Sequence, residues 1–547
     1  MNSINKKIII CLIIIAFASL VPKLYTVDFS IPVHFDNMTY TLDALQYSQG
    51  DFFMPQKKNP GWPIFIAPFM TLVNSSDYID YSNLLRILSL SIATFTIFPM
   101  YLLSRKFFNE KFALVAVILF AFEPHLNYIA GQGLSESLFI LLFITSFLFI
   151  LNKNHKFAFV SFAIGGIFWW VRLEGFYLFI ILSIVYFINF RKSPHTIRNF
   201  LICVAIFAII VSPMFVQRYI QFGDPFYIWY NNTLFADNYG TLITNPTDAS
   251  ALDYLQKKDS ILFIDRFIVQ GLSNLIVSLA KTMYPYLFIV IPFGLLFSLR
   301  PVDQEKKYVK SNWILILVTL SVIVIPFSTI SEKRFLFPLL PFLIIFATIP
   351  IQRVTEYGLS TFSFSEKKKN YFLLIVISIV IMLSGMFTCG VGEYGYGKPD
   401  TTLEQEKIQF AKFLVNNFDG RVLSGTISTE YVKYIQITET PNSFKQYKSP
   451  RDGNPYPDTY VPGTLSQKSA YGDTIEELIK DGEKNGLKYV AITPEGSYFF
   501  SYFKDLFEND DKYPYLKKVF DSNEHGYKKF KVKAFEIDYD KFYELNK

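Results

Sequence analysis

The stretch His34–Gly50, HFDNMTYTLDALQYSQG, decides how the rest of the chain is arranged. At helical spacing its polar and apolar side chains fall on different faces: Asp36, Tyr40, Asp43 and Tyr47 on one, Met38, Leu42 and Leu45 on another. The stretch is too polar to cross a membrane and too amphipathic for a plain loop. It predicts a short interfacial helix with its apolar face in lipid and its carboxylates toward a cavity. The alternative is that these carboxylates are simply solvated.

The composition predicts a polytopic membrane protein. Of the 547 residues, 51% are hydrophobic and 18% are charged, which is far more apolar than a soluble domain. The net charge of +6 is explained by Lys and Arg in short segments between apolar runs, so it does not indicate a nucleic-acid partner. The three cysteines lie inside or at the end of apolar runs and offer no disulfide framework or metal cluster: Cys11, Cys203 and Cys389.

Eleven apolar runs predict about eleven transmembrane helices, several near the ~20 residues that a span needs: 8–22, 87–103, 112–128, 137–151, 157–171, 175–190, 199–217, 282–299, 312–330, 335–350 and 371–388. If Lys6 and Lys7 are cytoplasmic, the connections on that side hold 18 Lys and Arg, and the longer opposite connections hold 12. This bias predicts a cytoplasmic N-terminus and an extracytoplasmic C-terminus. A merged or re-entrant pair at 112–151 or 312–350 would change the count by two.

The first apolar run has two interpretations. Its lysine pair, short apolar core and Ala16-Phe-Ala18 also fit a secretory signal with its cleavage site. The run continues through Val21, which favours a retained helix.

Ionisable residues collect on the predicted outward side of the membrane. Such residues are costly if they face lipid, so they are expected to point into a shared cavity. They stand at the ends of apolar runs or in the long loop 23–86: Asp36, Asp43, Glu123, His125, Glu136, Arg172, Glu174, Lys333 and Arg334.

Four motifs together resemble the GT-C membrane glycosyltransferases, over about residues 1–390. They are the first-loop Asp36, LSESLF at 134–139, RLEG at 172–175 and KRFLFPLLP at 333–341. The branch that they resemble is the dolichyl-phosphate-mannose protein mannosyltransferase-like group, which includes the lipid A aminoarabinose transferases. The resemblance implies a helical bundle, a sugar donor on a polyprenyl phosphate, and an outward first-loop aspartate as catalytic base.

Carried onto this chain, the resemblance makes Asp36 the base, because an acceptor hydroxyl must lose its proton as it attacks the anomeric carbon. Asn37 follows it, where many relatives have a second acid, and Asp43 is a possible substitute. Glu136 matches a second acidic position that orients the acceptor or helps to hold a divalent cation. Its alternative is a helix N-terminal acid favoured by the dipole.

Arg172, Lys333 and Arg334 are the candidates for the lipid phosphate, since fixed cations stabilise a leaving phosphate. Alternatively, Arg172 pairs with Glu174, and Lys333 and Arg334 extend to lipid head groups. Glu123-Pro-His125 has the Glu-x-His spacing of a pair of metal ligands, although a capping or hydrogen-bonded His explains it better.

Residues 389–547 predict a separate extracytoplasmic α/β domain after a Gly-rich linker, Cys389–Gly397. Helices are predicted at 404–417 and, after an Asp473–Glu476 capping box, up to Gly486. Strands are predicted at 421–424, 487–493 and 527–537. The region carries no phosphate-binding loop, so an accessory or acceptor-handling role is expected.

These observations predict an inverting glycosyltransferase that moves a single sugar from a polyprenyl phosphate to a hydroxyl on a protein, lipid or glycan outside the cytoplasm. The absence of the Trp-Trp-Asp motif of oligosaccharyltransferases argues against transfer of a whole oligosaccharide to Asn. The alternative is a polytopic transporter or lipid-handling protein whose acids and arginines line a translocation path. No internal repeat of the transporter kind is found in the sequence.

Overall fold

The computed structural model describes residues 6–32, 35–50, 59–73, 75, 77–226, 234–235, 254–256, 260–392, 394–398, 400–418, 421–424, 474–484, 486–494 and 502–545. Up to residue 388 the described chain is helical. Its helices are α1 (Lys6–Tyr25), α2 (Phe35–Ser48), α3 (Gly61–Met70), α4 (Tyr78–Phe95), α5 (Ile97–Ser104), α6 (Glu110–Ala121), α7 (Pro124–Ala130), α8 (Glu136–Ile150), α9 (His155–Val171), α10 (Gly175–Phe190), α11 (Thr196–Phe222), α12 (Ser260–Ile264), α13 (Gly271–Met283), α14 (Leu287–Ser298), α15 (Lys306–Phe327), α16 (Leu340–Arg353), α17 (Leu359–Thr361) and α18 (Glu366–Thr388).

Seven helical segments within the described ranges are long and apolar enough to cross a membrane. An eighth arises if α6 and α7, which meet at 55°, count as one bent span. Shorter apolar helices accompany them: α3, α8, α9, α10 and α14. The predicted helical membrane bundle is therefore confirmed.

The prediction that 218–281 is an outward loop is wrong for its last part. Residues 261–283 form one apolar helical segment of 23 residues, built from α12, a π-helical stretch Asp265–Gln270 and α13. Charged side chains interrupt its apolar pattern, so the run is not visible in the sequence. The predicted span 282–299 is in turn interrupted after α13, and α14 covers only twelve of its residues, Leu287–Ser298.

One helical segment, Lys333–Thr361, runs through the middle of the bundle and is called here the central helix. It begins with a 3₁₀ segment, Lys333–Leu339, and continues through α16, a π-helical stretch Val354–Gly358 and α17. In its apolar window 94% of the residues are buried, against 22–44% for the other six candidate spans. The 3₁₀ segment packs on α7, α8 and α13. These contacts hold its first residues, Lys333 and Arg334, next to those helices.

The predicted amphipathic helix is α2, but its apolar face does not lie in lipid. Met38, Leu42 and Leu45 are only 1%, 6% and 8% exposed, because α2 packs mainly on α3 and also on α4. Met38 belongs to an apolar cluster with Phe410 and Phe520 of the C-terminal region. The helix that carries Asp36 is thus covered by protein on its apolar side, and the expected lipid contact is wrong.

A turn between α7 and α8 ties α2 to the start of α8. The buried Asn37 amide donates to the carbonyl oxygens of Gln132 (3.1 Å) and Gly133 (3.0 Å), and the Trp62 indole donates to that of Gly133 (3.2 Å). Gly133 has φ +64°, and an added Cβ would lie 2.3 Å from the Asn37 amide nitrogen. The close approach therefore requires glycine, and it fixes Glu136 relative to Asp36.

The C-terminal region contains a four-stranded sheet in the order β1-β2-β4-β3. Its elements are α19 (Thr401–Asn417), β1 (Arg421–Ser424), α20 (Ile475–Lys484), β2 (Leu487–Ile492), α21 (Tyr502–Glu508), a 3₁₀ turn Asp510–Lys512, β3 (Leu516–Asp521), β4 (Lys533–Ile537) and α22 (Tyr539–Leu545). β1 is parallel to β2, and the other pairs are antiparallel.

The predicted small α/β region is confirmed, with differences in detail. The strand predicted at 527–537 begins only at Lys533, and β3 was not predicted. Thr474, within the predicted capping box, accepts from the Glu477 amide at 3.2 Å, and Asp473 lies outside the described residues.

Candidate active site

An aspartate from α2 and an arginine from the start of the central helix form an ion pair across 298 positions of sequence. Arg334 Nη1 donates to Asp36 Oδ2, and the Nε side of the same guanidinium faces Glu332. The side chains of Arg334, Asp36 and Glu332 are 23%, 28% and 48% exposed. This set, called here the open group, is accessible to a ligand.

A second arginine lies between two carboxylates that are much less exposed. Arg172 Nη1 donates to Glu136 Oε1 at 2.7 Å, and its Nη2 donates to Glu174 Oε1 at 2.7 Å. The side chains of Glu136, Arg172 and Glu174 are 1%, 11% and 21% exposed, and they are called here the enclosed group. Within the described residues Glu136 Oε2 has no hydrogen-bond partner, so this oxygen can accept a hydrogen bond from a ligand.

The break between α9 and α10 places Arg172 and Glu174. Arg172 leaves the helix in an extended conformation, with φ −147° and ψ 148°, and α10 begins at Gly175. An added Cβ on Gly175 would lie 2.3 Å from the Trp169 backbone, so a larger residue would displace the break. Burial acts to raise the pKa of the Glu174 carboxyl, but the charge and hydrogen bonds of Arg172 outweigh it and hold that pKa below its ordinary value.

One aromatic ring connects the two groups. The guanidinium carbons of Arg172 and Arg334 lie 5.3 Å and 5.7 Å from the centroid of the Phe335 ring. Arg172 is also 5.3 Å from the Phe139 ring. These cation–π contacts fix the planes of both guanidinium groups, so the open and enclosed groups form one continuous site.

Tyr40 belongs to this site, and Asp43 lies further along the same helix. Burial raises the pKa of the Tyr40 hydroxyl, and the carboxylates of Asp36 and Glu136 raise it further, which shows that the ring stands near both. Asp43 is half-buried on α2. The structure therefore brings together Asp36, Tyr40, Glu136, Arg172, Glu174 and Arg334.

Lys333 points away from its neighbour Arg334. Its ammonium lies 5.5 Å from the Tyr394 ring, and Lys281 lies 5.9 Å from the same ring. Successive residues of a 3₁₀ helix are about 120° apart, so Lys333 and Arg334 cannot face one ligand equally. Lys333 is placed at the edge of the site rather than within it.

Glu123 and His125 have partners inside the protein. Glu123 Oε2 accepts from the Leu126 amide at 2.7 Å and caps α7. The His125 ring contacts the Tyr396 hydroxyl at 2.5 Å and the Tyr284 carbonyl oxygen at 3.2 Å. The hydrogen-bonded His125 is an alternative that the sequence left open, whereas the capping role of Glu123 was not predicted, and neither ring nitrogen of His125 is left for a metal.

Sequence reasoning did not identify Glu332 and Phe335 as site residues. Glu332 could have been found, because it stands in the same short outward segment as Arg334. Phe335 could not, since 18% of the chain is aromatic and nothing in the sequence distinguishes this ring from the others.

Comparison with known proteins gives a match of part of the chain to one family and a fold. A profile of the Alg9-like mannosyltransferase family matches residues 274–396, which include the central helix but neither Asp36 nor Glu136. A comparison with curated protein sequences finds no match.

Solved structures of similar fold cover nearly the whole chain. ArnT from Cupriavidus metallidurans, bound to undecaprenyl phosphate, has a TM-score of 0.55 at 11% identity, over 96% of this chain and 97% of that one. The oligosaccharyltransferase of Archaeoglobus fulgidus with Zn and sulfate has a TM-score of 0.56 at 14% identity, over 89% and 68%. The same organism's AglB with an inhibitory peptide and a dolichol-phosphate has 0.54 at 12%, over 94% and 72%. At these identities the likeness establishes the fold, and the predicted resemblance to GT-C glycosyltransferases is confirmed.

Proposed function

We propose that this protein is a membrane glycosyltransferase that moves a single sugar from a polyprenyl phosphate to a hydroxyl group on a protein, lipid or glycan outside the cytoplasm. The observation that carries the proposal is the open ion pair of Asp36 and Arg334 beside the enclosed group. The matched ArnT is bound to undecaprenyl phosphate and the matched AglB to a dolichol-phosphate. These ligands support a lipid-linked donor.

The chemistry assigned to the open group is a single displacement. The acceptor oxygen forms a bond to the anomeric carbon as the bond from that carbon to the phosphate oxygen breaks. The hydroxyl proton passes to Asp36, which serves as general base. The polyprenyl phosphate leaves with the electron pair of the broken bond, and Arg334 stabilises the added negative charge. One displacement inverts the configuration at the anomeric carbon.

The enclosed group positions rather than reacts. Arg172 pairs with both Glu136 and Glu174 and so offsets part of the cost of burying two carboxylates. It holds Glu136 so that Oε2 is free to accept a hydrogen bond from a hydroxyl of the donor sugar or of the acceptor. Tyr40 lies between the two groups and supplies a further hydroxyl. This division of roles explains why the side chains of the open group are more exposed than those of the enclosed group.

A divalent cation does not fit this site. Within the described residues no group of three or more His, Cys, Asp and Glu side chains could hold a metal ion. The carboxylates of Asp36, Glu136 and Glu174 each pair with a guanidinium, and a cation placed there would be repelled by both arginines. No step is assigned to a metal.

The C-terminal region, 389–547, serves in this proposal as an extracytoplasmic domain that handles the acceptor. Its packing against Met38 on the helix of Asp36 supports a position next to the open group. The Lys and Arg bias of the connections supports a cytoplasmic N-terminus. A reporter fused after Lys547 should therefore behave as extracytoplasmic, and cytoplasmic behaviour would contradict the placement of every site residue.

The direct test uses purified protein, a panel of polyprenyl-phosphate sugars and a mixture of hydroxyl acceptors. The expected result is release of polyprenyl phosphate with at least one donor, dependent on the acceptor and abolished in Asp36→Asn. The same protein in vesicles provides the control for transport. Movement of a lipid-linked sugar across the vesicle membrane, without release of lipid phosphate, would assign the site to a transporter instead.

A further inference from the structure

A lysine is buried inside the bundle away from the candidate active site. Lys23, on α1, is 3% exposed, and its ammonium donates to the Ser19 hydroxyl at 2.9 Å and the Ser19 carbonyl oxygen at 3.2 Å. Among the described residues it has no carboxylate partner. Ionisable side chains within membrane helices are costly and normally pair or face a polar cavity. Lys23 therefore has one N–H and one positive charge that the protein itself does not satisfy.

An asparagine in the same cavity is also unsatisfied. Asn127, on α7, is 1% exposed, and neither Oδ1 nor Nδ2 has a hydrogen-bond partner in the described structure. An amide can make about four hydrogen bonds, and leaving a buried one without partners is destabilising. Lys23 and Asn127 line one cavity between α1, α4, α7 and α8.

The other polar groups of this cavity are already occupied. The Ser137 hydroxyl is bonded to that of Ser89 at 2.8 Å, and the Thr96 hydroxyl donates to the Ile92 carbonyl oxygen at 2.7 Å. The remaining lining is apolar: Ala93, Ile97, Phe120, Ala121, Leu126, Ile129 and Ile140. Glu123, the carboxylate nearest to Asn127 in sequence, caps α7. The free groups that line the cavity are thus the Lys23 ammonium and both ends of the Asn127 amide, so donors outnumber acceptors and the only charge among these groups is positive.

We infer that this cavity binds a small monovalent inorganic anion, such as chloride, between Lys23 and Asn127. The ammonium and the amide NH₂ supply the hydrogen bonds, and the anion neutralises a charge that would otherwise be buried without a partner. A water molecule on Asn127 Oδ1 completes the site. The cavity adjoins Ser137, the residue after Glu136, so the anion stabilises the junction of α7 and α8 behind the enclosed group. The inference does not depend on the proposed transfer reaction.

The test compares thermal unfolding of the purified full-length protein in sodium chloride and in sodium gluconate at constant ionic strength. A ligand that binds only the folded state raises the Tm with its concentration. The expected rise is about 2 °C for a tenfold increase in chloride above the dissociation constant. Lys23→Met should unfold at a Tm that no longer depends on chloride, and Asn127→Leu should need more chloride for the same rise.

Lys281→Met is the matched control, because it removes the same charge from an exposed position. It should retain the full chloride response, and an equal loss in Lys281→Met and Lys23→Met would overturn the inference as a general salt effect. Crystals of the unmodified protein grown in bromide provide a second readout, which does not require Lys23→Met to fold. An anomalous peak beside the Lys23 ammonium supports the inference. A cavity without such a peak, together with a Tm independent of chloride, shows that it holds only water.

Discussion

The open and enclosed groups contain the same chemistry, a guanidinium between carboxylates, and differ in exposure. In the enclosed group Glu136 is 1% exposed and Arg172 11% exposed, whereas in the open group Asp36 is 28% and Arg334 23% exposed. A buried pair cannot exchange partners without leaving a charge in a medium of low dielectric constant. A partly exposed pair is screened by water and can open to admit a ligand at a modest cost. Exposure therefore separates the positioning group from the reactive one.

The largest effect is expected from removing the base of the open group. Asp36→Asn keeps the shape of the side chain and removes its ability to accept a proton. We expect kcat to fall by a factor of about 10²–10⁴, while the Tm stays close to that of the unmodified protein. The measurement is release of polyprenyl phosphate under saturating donor, with a thermal unfolding curve for each variant.

Asp43→Asn is the matched control, since Asp43 lies on the same helix and is also partly exposed. Its kcat should change much less. If Asp36→Asn retains activity and Asp43→Asn loses it, the base is Asp43. The assignment of the reactive carboxylate to the open group would then be wrong.

The enclosed group should show the opposite pattern, with stability affected first. Arg172→Met leaves Glu136 and Glu174 without their shared cation, and breaking a buried pair in this way costs about 3–5 kcal/mol. Its measurable consequence is a large fall in Tm before any substrate is added. The control is Arg334→Met in the open group, which should lower the Tm far less. Equal losses of stability would show that exposure does not distinguish the two groups.

Arg334 should affect the reaction more than the binding of the donor. If it stabilises a phosphate that becomes more negative as the sugar leaves, Arg334→Ala lowers kcat by about tenfold or more and raises the donor KM less. Arg334→Lys should restore only part of the loss, because an ammonium cannot make a two-pronged contact with phosphate oxygens.

Lys333→Ala is the matched control for Arg334. Lys333 faces Tyr394 rather than Asp36, so the variant should leave kcat nearly unchanged. If both alanine variants change only the donor KM, these residues hold lipid head groups, and the assignment of Arg334 to the leaving phosphate is wrong.

The membrane bundle and most of the site could be predicted from the sequence, because both depend on local pattern. Apolar runs indicate the membrane-spanning segments. The ionisable residues between them would be costly to expose to lipid, so they indicate where a cavity lies. Asp36, Glu136, Arg172 and Arg334 were found in this way, and they do meet. Their pairing was only partly predictable. Arg172 with Glu174 is a local contact, but Asp36 with Arg334 and Glu136 with Arg172 depend on how helices pack.

What the sequence did not predict depends on tertiary contacts. The apolar face of α2 was expected in lipid. An amphipathic pattern indicates that one face of a helix is buried, but it does not indicate whether lipid or protein covers that face. The helical segment 261–283 was missed because Asp265, Arg266 and Lys281 interrupt its apolar pattern. The side chains of Lys333 and Arg334 point in different directions because both residues lie in a 3₁₀ segment. The sequence pattern of charged and apolar residues does not predict this segment.

The smallest effect is expected at a buried carboxylate of the C-terminal region, which backbone amides satisfy without any arginine. Glu406, on α19, is 7% exposed, and its oxygens accept from the amides of Lys528, Lys529 and Phe530 at 2.8, 2.9 and 2.7 Å. Burial acts to raise the pKa of this carboxyl, but the three N–H groups outweigh it and hold the pKa below its ordinary value. Because the pKa is lower in the folded state, the carboxylate stabilises the fold above the unfolded-state pKa. That stability is lost as pH falls through the folded-state pKa.

Glu406→Gln removes the charge and one acceptor oxygen, so the C-terminal region should lose about 1–2 kcal/mol at neutral pH. The difference from the unmodified protein should shrink as pH falls through the folded-state pKa of Glu406, which lies below the ordinary value of a glutamate carboxyl. Hydrogen exchange of the amides at 528–530 measures this locally, without interference from the membrane bundle. Exchange there should be faster in the variant at neutral pH and similar to that of the unmodified protein in acid. Equal exchange at neutral pH would show that the charge of Glu406 does not contribute to the stability of the C-terminal region. The need for a charged side chain would then be limited to the carboxylates that pair with an arginine.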